Sequence, residues 1–254
     1  MSTLLSVAQV NVTFGGLRAL KDVYLDLHKN EIVGLIGPNG AGKTTLLNAI
    51  SGLVDPESGT FSLNGKEENW PKPHQLVSRG ISRTLQGVGL FGDLTVLENV
   101  MIGAQKFAKA GLGRALLGRT AKDESALRDR AMLALERVYA GGLADRRADT
   151  LAYPETKRVS IARALISEPK ILLLDEPAGG LGKEDIDWLG QLIKNLRQDC
   201  SVILVEHHMD VVMAVCERLY VLDFGQVIAS GSAEKVRQDP AVIAAYLGTA
   251  VSDQ

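Results

Sequence analysis

The chain has 254 residues, of which 46% are hydrophobic and 23% are charged, and its formal net charge is −2. This composition suits a large α/β domain with a sizeable core, and the lack of a basic excess disfavours a nucleic-acid partner. No apolar run approaches the roughly 18 residues of a membrane span, and the first residues lack the basic stretch of a signal peptide. Any membrane role is therefore expected to come through a partner. Cys200 and Cys216 fit no metal motif and are interpreted as reduced thiols of a cytosolic protein.

The first third of the chain is predicted to form short strands. Apolar residues alternate loosely over residues 4–12 and more clearly over residues 19–27. Residues 31–36 form a nearly continuous apolar run, which is typical of a strand buried on both faces. A glycine-rich loop follows directly and leads into a helical stretch over residues 44–50. Turn residues then flank a further strand over residues 60–63.

The middle of the chain is predicted to be helical from Thr95 to about Tyr139, with a connecting loop over residues 106–120. Apolar residues spaced by four, four and three positions mark one helix face: Leu127, Ala131, Leu135 and Val138. We therefore expect a helical subdomain at about residues 92–166, inserted in a single domain that spans residues 1–254.

The last third returns to alternating strands and helices. Buried strands are predicted over residues 170–175 and 201–205, with an amphipathic helix over residues 186–196 between them. Two shorter strands are predicted over residues 219–222 and 227–229. Strands that alternate with helices imply a largely parallel sheet.

Residues 37–44 read Gly-Pro-Asn-Gly-Ala-Gly-Lys-Thr and match the phosphate-loop pattern G-x-x-x-x-G-K-[ST]. Successive backbone N–H groups would form a concave nest for phosphate oxygens, and glycines let the backbone come close. The following helix would present its positive N-terminus to the anion. Lys43 is expected to pair with the β- and γ-phosphates, and the Thr44 hydroxyl to bind Mg²⁺. The sequence therefore predicts a nucleoside triphosphate site, with ATP and Mg²⁺ as its ligands.

Polar residues also follow two other predicted strands. Asp175 ends a buried apolar run, at the edge of the sheet where ligands of α/β folds bind, and would hold Mg²⁺ through water. Glu176 is the candidate general base for the attacking water. His207 and His208 follow the strand over residues 201–205, and chemistry alone does not choose between them.

In the order of these elements, the sequence resembles the ATP-binding-cassette (ABC) ATPases over essentially its whole length. The resemblance implies an α/β fold with a mainly parallel core sheet, an N-terminal antiparallel β part and an inserted helical subdomain. Besides the phosphate loop, it is carried by short segments at residues 83–86 (Arg-Thr-Leu-Gln), 151–155 (Leu-Ala-Tyr-Pro-Glu), 161–165 (Ile-Ala-Arg-Ala-Leu), 174–177 (Leu-Asp-Glu-Pro) and 206–207 (Glu-His).

The resemblance implies roles for individual residues. Gln86 would bind Mg²⁺ and sense transmembrane subunits, His207 would be the switch histidine on the γ-phosphate, and Phe14 matches the aromatic residue that stacks on adenine. The candidate catalytic residues are then Glu176, His207 and Gln86, and the candidate metal ligands are Thr44, Gln86 and Asp175. The candidate nucleotide-binding residues are Phe14, Gly37, Pro38, Asn39, Gly40, Ala41, Gly42, Lys43, Thr44 and Thr45.

A finer resemblance is to the ATPase subunits of branched-chain amino acid importers. It is carried by Phe-Gly-Gly-Leu at residues 14–17, Glu-His-His-Met-Asp at 206–210 and Ala-Tyr-Leu-Gly at 245–248. The resemblance implies a peripheral subunit on the cytoplasmic face of the cell membrane, bound to transmembrane permease subunits and served indirectly by a solute-binding protein. Importers for urea, short amides or other small solutes look similar, so the solute stays open.

The signature loop departs from the family pattern of Ser-Gly-Gly-Gln type. Ala152 lacks the serine hydroxyl, Pro154 lacks the N–H of the glycine it replaces, and Thr156 stands where glutamine is usual. Gly182 stands where the family usually has Asn or Asp. In the family two cassettes dimerise head to tail, and each signature loop faces the partner's ATP. The departures therefore predict a heterodimer with a second, different cassette, in which the site facing this signature loop is weakened.

Three alternatives remain beside an importer ATPase. One is a regulatory nucleotide-binding subunit with little turnover, which the altered signature loop favours. Another is the ATPase of a lipid or polysaccharide exporter. The third is a soluble cassette ATPase that acts on DNA or ribosomes, although the long coiled-coil insertion or tandem cassettes of that class are not seen.

Overall fold

A computed structural model describes residues 2–84, 89–104, 107 and 120–249. An antiparallel sheet is formed by the first part of the chain, in the order β2-β1-β4-β5. Its strands are β1 (Thr3–Phe14), β2 (Leu17–His28), β4 (Ser58–Leu63) and β5 (Lys66–Glu68). This is the N-terminal antiparallel part that the family resemblance implies.

A second sheet of six strands forms the core, in the order β10-β9-β3-β8-β7-β6. All neighbours in it are parallel except β9 and β10, so the prediction of a mainly parallel core sheet is confirmed. Its strands are β3 (Ile32–Ile36), β6 (Ile81–Arg83), β7 (Ile171–Asp175), β8 (Ser201–Val205), β9 (Arg218–Asp223) and β10 (Gln226–Gly231).

Helices pack around the core sheet and at one end of it. The described α-helices are α1 (Lys43–Ile50), α2 (Val96–Ile102), α3 (Thr120–Arg137), α4 (Tyr153–Leu165), α5 (Lys183–Leu196), α6 (Met209–Val215), α7 (Ala233–Arg237) and α8 (Pro240–Thr249). Helices α2, α3 and α4 pack on one another, in the region expected to be helical. The predicted loop over residues 106–120 lies outside the described residues except for Phe107 and Thr120.

The core strands divide their side chains between two apolar clusters. In β8, Ile203 faces a cluster shared with α1 and the antiparallel sheet, whereas Val202 and Leu204 face a cluster shared with the helices. This alternation follows from the two-residue period of a strand. Because both faces are covered, all residues of β3, β7 and β8 are buried, as their continuous apolar runs predict.

The register of the central strands fixes where the chemically active segments lie. Val205 of β8 pairs with Leu35 of β3 on one side and with Asp175 of β7 on the other. The segments that leave β3, β7 and β8 therefore emerge side by side at the carboxyl edge of the sheet. Within the described part of the chain, no helix is long and apolar enough to span a membrane.

Candidate active site

The loop over residues 37–42 is shaped by glycines that no other residue can replace without strain. Gly37 has a φ of +146°, and a Cβ there would lie 2.0 Å from the carbonyl oxygen of Leu222. Gly42 has a φ of +103°, and a Cβ there would lie 2.8 Å from the carbonyl oxygen of Ala19. Gly42 also begins α1 without a side-chain cap, so the N–H groups of the first turn keep their capacity to bind an anion.

Lys43 is buried beneath this loop. Its Nζ donates to the carbonyl oxygens of Gly37 and Pro38, both at 2.8 Å. Burial lowers the pKa of Lys43, and the negative charges of Glu176 and Asp175 oppose that effect. The ammonium group of Lys43 therefore lies within range of electrostatic attraction to both carboxylates.

A pocket of about 410 Å³ opens in front of the loop. It brings together Phe14, residues 39–45 and Glu176, three groups that lie far apart in the chain. Of the predicted nucleotide-binding residues, Gly37 and Pro38 do not line the pocket. Their carbonyl oxygens instead accept hydrogen bonds from Lys43. Phe224, which the sequence analysis missed, is 85% exposed and lies on the wall of the same pocket.

Asp175 lies at the end of β7 and is fully buried. Its Oδ2 accepts a hydrogen bond from the guanidinium of Arg83 at 2.7 Å, and Arg83 donates from its other nitrogen to Asn48 and Ser51. Oδ1 of Asp175 has no hydrogen-bond partner among the described residues. A buried carboxylate oxygen without a partner is costly, and an oxygen of this kind suits a divalent cation or its bound water.

Glu176 has a left-handed backbone, with φ +48°, which is uncommon for a residue other than glycine. Its N–H donates to the carbonyl oxygen of Val205 at 2.9 Å. Its own carbonyl oxygen accepts from Lys157 Nζ and from the N–H of Gly179, both at 3.2 Å. The backbone of the candidate base is therefore fixed on both sides of its Cα atom.

Glu206 connects the loop after Glu176 with the histidines, and the sequence analysis gave it no role of its own. Its side chain is completely buried, and Oε1 accepts from the N–H of Ala178 at 2.6 Å. Oε2 accepts from the N–H groups of His207 and His208 at 3.1 and 3.3 Å. Three backbone donors thus stabilise one buried carboxylate.

His207 and His208 lie together at the edge of the sheet. Their rings are 4.4 Å apart, and His207 Nδ1 lies 4.0 Å from Oε2 of Glu206. About half of the His207 side chain is exposed, and His207 does not line the pocket. Gln86, the third candidate catalytic residue, lies outside the described residues.

The altered signature segment forms the N-terminus of α4. Ala152 precedes the helix, and Pro154 lies in its first turn, where the missing N–H is tolerated. Glu155 accepts from the N–H of Ala152 at 2.8 Å, but the alanine has no side-chain oxygen with which to cap the helix in return. Thr156 Oγ1 donates back to the carbonyl oxygen of Tyr153 at 2.6 Å. The fold accommodates these departures.

A glycine-rich loop between a buried strand and a helix, with acids at the end of another parallel strand of the same sheet, defines a nucleotide-binding protein of the phosphate-loop class. A family model described as ABC transporter matches residues 20–179, and one described as branched-chain amino acid ATP-binding cassette transporter matches residues 226–252. The chain belongs to the ABC transporter family and is one of its ATPase cassettes.

Its relatives cover almost the whole chain. LivG of Escherichia coli, named a high-affinity branched-chain amino acid transport ATP-binding protein, is 41% identical over 97% of this chain and 98% of LivG. BraF of Pseudomonas aeruginosa bears the same description and is 37% identical, with the same coverage.

Solved cassettes share the fold. The ADP conformation of MJ1267, an ATP-binding cassette of an ABC transporter, superposes with a TM-score of 0.86 at 30% identity, over 98% of this chain and 100% of that chain. A dimeric post-hydrolysis state of the cassette MJ0796, bound to ADP and phosphate, gives 0.76 at 27% identity, over 91% and 99% of the two chains. ATPase cassettes of the family to which this chain belongs therefore bind nucleotide.

Proposed function

We propose that this chain is the ATP-binding and ATP-hydrolysing subunit of a membrane importer for branched-chain amino acids or a related small solute. The pocket that joins Phe14, the phosphate loop and Glu176 is the observation that carries the ATPase part of the proposal. The solute class rests on the match of residues 226–252 to the family model of branched-chain amino acid cassettes and on the role of LivG and BraF in branched-chain amino acid transport.

In this proposal each side of the pocket handles one part of ATP. Phe14 stacks on adenine, which needs only an aromatic face. The N–H groups of residues 39–45 and the ammonium group of Lys43 bind the phosphates. The buried Lys43 already contacts two carbonyl oxygens, so its position is set before the nucleotide arrives.

Mg²⁺ would be held by Thr44, Gln86 and Asp175, and it would neutralise charge on the β- and γ-phosphates. Oδ1 of Asp175, which has no hydrogen-bond partner among the described residues, supports this assignment, whereas Oδ2 accepts from Arg83. Glu176 would accept a proton from the attacking water. His207 would contact the γ-phosphate, and about half of its side chain is exposed at the edge of the sheet.

A groove of about 450 Å³ supports docking on permease subunits. It lies between α2 and the core sheet, and it carries three exposed apolar side chains: Leu53, Phe91 and Ile102. Apolar residues grouped around one groove mark a site of protein interaction. Docking there would keep the chain on the cytoplasmic face of the membrane, with a solute-binding protein contacting the permease from the other side.

We further propose that the second cassette of the complex is a different chain. Ala152 and Pro154 together remove one hydroxyl and one N–H from the helix end that would face the partner's ATP. Each lost donor to a charged phosphate costs on the order of 1.5–3 kcal/mol. The same departures favour the second candidate function, a regulatory nucleotide-binding subunit with little turnover.

The complex of this chain with its permease subunits and second cassette, in proteoliposomes with the solute-binding protein, tests the proposal. ATP-dependent uptake of leucine is expected, and Glu176→Gln should remove most hydrolysis while ATP still binds. Glu184→Gln, an exposed acid on α5, is the matched control. Unchanged turnover in Glu176→Gln would refute the role of Glu176, and ATP binding without turnover in the unaltered complex would favour the regulatory subunit.

The weakened site has its own test in the same complex. Restoring glycine by Pro154→Gly should raise ATP turnover, because it returns one N–H donor to the signature loop. Equal turnover with Pro154 and with glycine contradicts the weakened-site proposal and leaves the ATPase proposal intact.

A further inference from the structure

One face of α4 holds the loop that follows β7. Lys157 lies one turn into the helix and is almost fully buried, and its Nζ donates to the carbonyl oxygen of Glu176 at 3.2 Å. Tyr153, four positions earlier and so on the same helix face, donates its hydroxyl to the carbonyl oxygen of Gly179 at 3.2 Å. The ammonium group of Lys157 also lies 5.4 Å from the centre of the Tyr153 ring, within reach of a cation–π contact.

The loop over residues 176–180 has a backbone that leaves room for the Tyr153 ring. Gly180 has a φ of +76°, and a Cβ there would lie 2.7 Å from Cε1 of Tyr153. The ring of Tyr153 can therefore close over the loop because Gly180 has no side chain. At the other end of the same loop lies Glu176, which has an uncommon left-handed backbone and accepts from Lys157. Side chains of α4 therefore contact the loop at both ends.

The Lys157 contact bears directly on the direction of the Glu176 carboxylate. The two peptide planes that meet at the Cα atom of Glu176 together set the direction of its Cα–Cβ bond, so holding both the N–H and the carbonyl group holds the start of the side chain. A left-handed residue persists only where its surroundings fix it. On this loop the fixing groups are Val205, Lys157 and Gly179.

We propose that Lys157, with Tyr153, is a positioning residue for Glu176, and that it links the N-terminus of α4 to this chain's own hydrolytic site. The inference rests on the proposed role of Glu176 as the base. In a head-to-tail pair the N-terminus of α4 faces the partner's nucleotide, so a shift of α4 on that nucleotide would reach Glu176 through Lys157 and Tyr153.

The test measures kcat and KM for ATP in the assembled complex. Lys157→Met keeps the length and the apolar stem of the side chain but removes the ammonium group. We expect kcat to fall roughly 10-fold or more, since a small misplacement of a catalytic group has effects of up to about 100-fold. KM for ATP should change less than about 2-fold, because Lys157 does not line the nucleotide pocket. Lys157→Arg, which keeps a donor, should recover most of the rate.

A second background separates positioning from general loss of structure. If Lys157 acts through Glu176, then Lys157→Met has no further effect on the residual rate of Glu176→Gln. Lys194→Met, which changes an exposed lysine on α5, is the matched control. Should Lys157→Met not fold, Tyr153→Phe tests the same contact and should give a smaller fall in kcat. An unchanged kcat in a Lys157→Met complex, or an equal loss in the Glu176→Gln background, overturns the inference. Absence of turnover in the unaltered complex instead overturns the proposed function.

Discussion

Arg83 and Asp175 form an ion pair 2.7 Å long at the carboxyl edge of the core sheet, and the two side chains are 8% and 0% exposed. Arg83 is also the donor to Asn48 of α1 and to Ser51, which directly follows that helix. One guanidinium therefore ties the end of β6 to the end of β7 and to the helix that follows the phosphate loop.

Arg83→Met should destabilise the fold strongly, because it leaves the Asp175 carboxylate buried without its cation. Breaking one side of a buried ion pair costs about 3–5 kcal/mol, to be measured as the free energy of unfolding in urea. The double variant Arg83→Met/Asp175→Asn should recover part of the loss, since the uncompensated charge is gone. A loss below about 1 kcal/mol for Arg83→Met, the value of a surface pair, would contradict this account.

Glu206→Gln should lower both stability and turnover. The three N–H groups of Ala178, His207 and His208 need an acceptor, and the carboxamide of glutamine offers only one acceptor oxygen, because its NH₂ group is a donor. A buried donor without a partner costs about 1–3 kcal/mol, measurable by urea unfolding, and kcat should fall with it. The exposed Glu234→Gln is the control. A stability equal to that of the unaltered chain would show that the carboxylate is not needed there.

Phe224→Ala should weaken ATP binding, although the side chain is 85% exposed. Phe224 lies on the pocket wall that also contains Phe14, and an aromatic contact is worth about 0.5–1.5 kcal/mol, which is roughly 2- to 10-fold in Kd. Phe14→Tyr should be tolerated because stacking uses only the ring face. Fluorescence titration with a labelled ATP analogue measures both. Leu133→Ala, an exposed residue on α3, serves as control, and an effect of equal size there would remove the special role of Phe224.

The two thiols give a pH-dependent prediction. Burial raises the pKa of Cys200 to about 11 and that of Cys216 to about 12, from an ordinary value of 9.0. The native state therefore disfavours the thiolates. Thiol ionisation leaves the free energy of unfolding unchanged below about pH 9 and lowers it as the pH rises towards 11 and above. The midpoint of urea unfolding should fall more between pH 7 and 10.5 for the unaltered chain than for Cys200→Ala/Cys216→Ala.

Alkylation gives an independent check on the same thiols. Iodoacetamide at pH 8 should react slowly with the folded chain and rapidly in urea, because the thiolate is the nucleophile. Equal rates in both conditions would show that the thiols are accessible and that burial does not control them.

The strand ends that build the site could be predicted because their signals are local. An apolar run buried on both faces and a polar residue directly after it are both visible in the sequence, and parallel pairing then brings Asp175, Glu176 and residues 206–207 to one edge. The family resemblance supplied the antiparallel sheet, which alternation alone left as separate strands.

Other residues could not be predicted because their environment is made by distant parts of the chain. Strand β6 has only three residues, and in the sequence its Ser82 and Arg83 look like exposed polar residues. In the fold they form hydrogen bonds with Ser167 and Asp175, which lie far away in the chain. Glu206 resembles a surface acid in the sequence, yet it is buried in the fold, where three backbone N–H groups compensate its carboxylate. In the sequence Tyr153 is visible only as part of the altered signature segment, whereas in the fold its ring packs on Gly180.

The register that aligns Leu35, Val205 and Asp175 also determines how the molecule comes apart. The site segments continue directly from the three central strands, so the site cannot open fully unless those strands unpair. Nucleotide held there opposes whole-domain unfolding by about 4 kcal/mol when its concentration is roughly 1,000 times Kd. In an ATP-rich cell, the lifetime of this subunit against proteases therefore depends on its ligand as well as on its apolar core.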